Sequence, residues 1–67
     1  MSPLFYKVYT RRIGEKKKTM IAGFANRVDA VNFAYDSSLG RYQSGDVTLL
    51  ITESGRKVKA YRQGLEV

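Results

Sequence analysis

The sequence predicts a single α+β domain with the element order β-β-α-β-β: an antiparallel four-stranded sheet with one helix packed on one face. Three observations lead there. Four runs, residues 4–13, 19–25, 47–52 and 57–62, are strand-like, most of them rich in aromatic and β-branched residues, the types that suit a pleated, half-buried surface. A run between the second and third places apolar residues at helical spacing behind a good N-cap residue, Asn26. Glycine-containing breaks separate the two strands of each half. Two hairpins flanking one helix bury both apolar surfaces at once in a two-layer arrangement. The other sheet face then meets water or a partner.

The first strand, residues 4–13, alternates Leu4, Tyr6, Val8 and Thr10 with Phe5, Lys7, Tyr9 and Arg11. The first set carries less charge and is assigned to the core. Residues 14–18 hold a glycine and four consecutive charges, the pattern of a hairpin loop. In the second strand, Met20, Ala22 and Phe24 share a face, and Gly23 suggests a bulge. The helix is expected over 27–39. Asn26 offers its side chain to an unpaired first-turn amide, and Asp29 complements the positive helix end. Val28, Ala30, Val31, Phe33, Ala34 and Tyr35 supply the apolar face, and Gly40 suits a left-handed C′ position. The third strand sets Val47, Leu49 and Ile51 against Thr48, Leu50 and Thr52. Ser54-Gly55 is a short-turn signal, and the fourth strand has Val58 and Ala60 inward, Lys57, Lys59 and Tyr61 outward, with Gly64 ending it.

Sixty-seven residues make one small basic domain, with no room for a second core. With 43% hydrophobic and 27% charged residues the composition is that of a globular chain and not of a disordered tail. A core of this size leaves only about 3–5 kcal/mol of stability, so association with a partner or a second copy is a natural support. The chain has no cysteine and no histidine. No disulfide or thiolate metal site can form, and the commonest metal ligand and general base are missing. No Walker-type or Gly-x-Gly-x-x-Gly loop is present. The six acids are too few and too scattered for a metal site in a basic domain. The expectation is a protein without catalytic residues, cofactor or metal. No apolar run reaches the ~18 residues of a membrane helix, and Met1-Ser2-Pro3 leads directly into a strand pattern unlike a signal peptide. A cytoplasmic location with no membrane partner is the simplest reading.

The formal charge of +6 is uneven. Residues 1–25 carry +5, residues 26–46 carry −1 and residues 47–67 carry +2. Strand alternation then places Lys7, Tyr9, Arg11, Thr48, Leu50, Thr52, Lys57, Lys59 and Tyr61 on the side away from the helix. Cations interleaved with tyrosines suit single-stranded nucleic acid: the cations follow the backbone and the rings stack on bases. Arg12, Lys16, Lys17 and Lys18 in the first loop, with Arg62 in the last strand, add phosphate contacts. A solvated basic loop and cross-strand Tyr–Lys pairs that merely stabilise the sheet would give the same pattern. The alternative partner is an acidic surface of a nucleic-acid-handling enzyme, with Leu50, Phe5 and Tyr61 as anchors and the lysines as rim. In size and pattern the chain resembles small accessory proteins of bacteriophages and other mobile elements. A homodimer built on the open sheet face or an edge strand is the third reading.

Overall fold

The computed structural model describes residues 5–67; Leu4, the first member of the expected core face, lies outside them. The elements are β1 (Tyr6–Arg12), β2 (Thr19–Phe24), α1 (Arg27–Leu39), β3 (Val47–Glu53), β4 (Arg56–Arg62) and β5 (Leu65–Glu66). The sheet has five strands, not four, in the order β2-β1-β3-β4-β5, and every neighbouring pair is antiparallel. The added strand arises because Gly64 does not end the chain's pairing. Gln63 and Gly64, at φ 51° and 78°, form a tight turn, and Leu65–Glu66 return along β4. Ser54 and Gly55, at φ 52° and 89°, make the expected two-residue turn between β3 and β4.

Between β2 and β3 the chain passes over β1 as α1, so the helix lies on the sheet's centre. Ala30, Ala34 and Ser38 are its buried residues, spaced one turn apart and small, and they meet Val8, Leu49 and Ile51 in the core. Phe24 and Phe33 close one end with ring centroids 5.3 Å apart. The buried stripe is narrower than the apolar one: Val28 and Tyr35 are exposed. Asn26 is the N-cap, but its side chain makes no capping bond; its amide donates to the Asp29 carboxylate at 3.4 Å. Gly40 is not left-handed, with φ −108°, although its N–H still donates to the carbonyls of Asp36 and Ser37.

Two β-bulges decide which side chains point where. In β2 the register passes from Val8–Ala22 to Tyr9–Met20, so Ile21 is the extra residue. Ile21 packs toward the core and Met20 joins Tyr9 on the opposite face, where it is exposed. The bulge expected at Gly23 thus lies two residues earlier, and Met20 does not share a face with Ala22 and Phe24. In β4 the register passes from Ile51–Lys59 to Thr52–Lys57, so Val58 is the extra residue. Val58 packs on the core as expected. Beyond it the alternation is inverted: Lys59 and Tyr61 lie on the helix side, opposite Ile51 and Leu49, and Ala60 lies opposite Leu50 on the other face. Tyr61 packs on Tyr35 at 5.9 Å, edge to face, and Lys59 pairs with Glu66 at 3.3 Å.

Candidate nucleic-acid interface

The face away from the helix, here the outer face, follows from the register as three rows across the strands. One row runs Lys7, Thr52, Lys57. The next runs Met20, Tyr9, Leu50, Ala60. The third runs Arg11, Thr48, Arg62, Leu65, with Arg62 donating to the Thr48 hydroxyl from Nε at 3.2 Å and Nη2 at 2.9 Å. Adjacent rows are two residues apart along β1 and β3, or about 7 Å, and in β4 the bulge sets Lys57 and Ala60 three residues apart. An apolar and aromatic row therefore lies between two cationic ones.

No second layer covers this face, yet its centre is buried: Thr48, Leu50, Thr52 and Ala60 are all below a tenth exposed. The cover is local. Long cationic side chains lay their apolar stems over neighbouring residues and keep their charges in water. Arg11, Lys16, Lys18 and Lys57 surround a groove of about 410 Å³ whose floor is Leu50 and Thr52. The β1–β2 loop thus contributes Lys16 and Lys18 to the outer face. Lys18 Nζ sits 4.6 Å from the Tyr9 ring centroid, a cation–π contact a stacking base would have to displace. The Thr52 hydroxyl is buried without a hydrogen-bond partner among the described residues.

The twelve cations divide evenly. Lys7, Arg11, Lys16, Lys18, Lys57 and Arg62 belong to the outer face, and none of them is in an ion pair among the described residues. The other six share the rest of the molecule with all six acids. Glu53 and Glu66 lie opposite Tyr6 and Tyr61 on the helix side, and Asp29 and Asp36 are on α1. Glu15 lines a separate hollow with Arg12, Lys17 and Tyr42. Asp46 accepts from the Ser44 hydroxyl and lies 4.0 Å from Arg12. Its carboxyl is held below the usual 3.8, chiefly by the Ser44 hydrogen bond; desolvation opposes this, and a backbone hydrogen bond and Arg12 lower it further. The helix side is therefore neutral in sum, and the outer face carries the whole +6.

Comparison with protein-family models, with curated proteins and with solved structures finds no match. Of the residues singled out from sequence, the structure gathers Lys7, Tyr9, Arg11, Lys16, Lys18, Leu50, Lys57 and Arg62 on one face. It sends Arg12 and Lys17 to the hollow beside Asp46 and Tyr42, and Lys59 and Tyr61 to the helix side. The sequence reading missed Met20 as an outer-face residue, and it missed the carboxylate-free character of that face. Only the two bulges reveal either. Among the described residues no helix is long and apolar enough to cross a membrane, and no cluster of His, Cys, Asp or Glu could hold a metal.

Proposed function

We propose that the protein binds single-stranded nucleic acid on its outer face. The observation that carries the reading is the partition of charge: six cations and no acid on one sheet face, against a neutral remainder. Such a face attracts a polyanion and releases its counterions. Tyr9 and Met20 in the central row offer an aromatic ring and a polarisable side chain to unstacked bases, which a duplex would keep inside its grooves. The protein-partner alternative loses support, since Leu50 is covered and Tyr61 packs on the helix; of its three anchors only Phe5 is exposed.

The test is a titration of labelled single-stranded and duplex DNA and RNA with the purified protein at about 50 and about 200 mM salt. Single strands are expected to bind more tightly and to weaken steeply with salt. With four phosphates neutralised, the logarithmic slope should be near −3. Lys7/Arg11/Lys57→Ala should abolish binding, and Lys59→Ala should leave it nearly unchanged. Absence of binding at the lower salt, or binding only to anionic phosphatidylserine vesicles, overturns the reading.

A further inference from the structure

We infer that the groove over Thr52 receives a phosphoryl group with more than one negative charge, the terminal phosphate of the bound strand. The inference rests on the nucleic-acid reading above and narrows it to one subsite. Arg11, Lys16, Lys18 and Lys57 reach the same hollow from β1, the β1–β2 loop and β4, and no carboxylate lines it. An internal phosphodiester brings a single charge to such a place. A terminal phosphate brings about −1.5 to −2 at neutral pH, with three acceptor oxygens, and matches the concentration of donors better.

The second observation is independent of charge. Thr52 is 3% exposed, lines the floor of the hollow, and its hydroxyl has no partner among the described residues. Buried polar groups are nearly always hydrogen-bonded, so an orphan hydroxyl beneath lysine side chains marks a place for an acceptor. A phosphate oxygen that lifts those side chains aside supplies one. The adjoining surface argues for a nucleotide over inorganic phosphate. Leu50, also on the floor, stands directly across from Tyr9, so a base attached to the held phosphate meets an aromatic ring.

The experiment compares one internally labelled single-stranded oligonucleotide in three forms: without terminal phosphate, 5′-phosphorylated and 3′-phosphorylated. At about pH 7.5 one phosphorylated form is expected to bind about fivefold more tightly, the effect of one extra charge beside a solvated cation. The gain should fade toward about pH 5, because the phosphate loses its second charge near pH 6. Facing the site are the cations Arg11, Lys16, Lys18 and Lys57 and the Thr52 hydroxyl, and the chain contains no histidine. Thr52→Val should bring the affinities of the phosphorylated and unphosphorylated forms together, and Thr52→Ser should keep them apart. Equal affinity for all three forms overturns this inference and leaves the nucleic-acid reading standing. A gain that survives Thr52→Val puts the terminal phosphate elsewhere and also overturns it. If no oligonucleotide binds but inorganic tripolyphosphate does, the hollow serves a free polyphosphate and the assignment to a strand end is wrong. If nothing binds, both readings fall.

Discussion

Thr52 sits in the middle of the sheet with a methyl group that packs and a hydroxyl that bonds to nothing in the described molecule. Replacing it by valine keeps the shape and the β-branching and removes the unmet polar atom. Thr52→Val should therefore raise the free energy of unfolding by about 1 kcal/mol in a urea titration. A loss of stability would mean that the hydroxyl is satisfied in solution. Asp46 offers a residue-scale test of a different kind. Its folded carboxyl lies below 3.8, so any stability it lends is complete above that value and is lost as pH falls through the lower, folded one. The carboxyl is exposed, and the effect on overall stability is correspondingly small. A side-chain NMR titration should find the pKa depressed, and Ser44→Ala should return it toward 3.8 further than Arg12→Ala does. The reverse order would make the ion pair, not the hydroxyl, the main cause. Both features were invisible beforehand, because a residue name tells neither whether a hydroxyl finds an acceptor nor which of two neighbours a carboxylate meets.

The elements were largely legible. The helix bounds, the face of β1, the two faces of β3 and the Ser54-Gly55 turn follow from periodicity and turn chemistry. What periodicity cannot register is an inserted residue. One bulge at Ile21 and another at Val58 invert the alternation beyond them, and this exchanges Met20 with Ile21 and Ala60 with Lys59 and Tyr61. The fifth strand was hidden for a similar reason: its turn needs a non-glycine residue, Gln63, at positive φ. Ser38 is one of the contacts that hold this last turn. Its hydroxyl donates to the Tyr35 carbonyl at 2.7 Å and accepts from the Gly64 N–H at 2.9 Å, fully buried between helix and sheet. Ser38 interrupts the apolar spacing of the helix, and in the fold it joins α1 to the turn between β4 and β5. Ser38→Ala leaves a buried amide unpaired and should cost about 1–3 kcal/mol. Amide exchange should show Gly64 losing protection first. Gly64→Ala strains the same turn, since a Cβ there would stand 2.5 Å from Leu39 Cδ2 at φ +78°. Gly55→Ala, at a similar φ but with open space, should cost less, near the ~1 kcal/mol of a left-handed non-glycine residue.

At the scale of the whole molecule the two faces differ in charge, not in charge density alone. Net charge by itself makes a protein adhere weakly to any polyanion, so a binding assay must separate total charge from its placement. Two double variants do so. Lys7→Glu/Lys57→Glu reverses two cations on the outer face, and Arg56→Glu/Lys59→Glu reverses two away from it. Each lowers the formal charge of +6 by the same four units. All four positions lie in strands at or near the surface, outside the buried core. If attraction were a matter of net charge, the two variants would lose affinity for a single strand equally. If the outer face is the platform, the first should lose about 100-fold or more, the removal of two direct phosphate contacts and the addition of two repulsions. The second should lose only the few-fold expected of screened charges beyond a Debye length of ~8–10 Å. The salt slope sharpens the distinction. The outer-face variant should show a shallower slope, because fewer counterions are released, whereas the helix-side variant should keep that of the parent protein. Equal losses and equal slopes would return the six cations to the role of a solvated surface and leave the groove without a ligand.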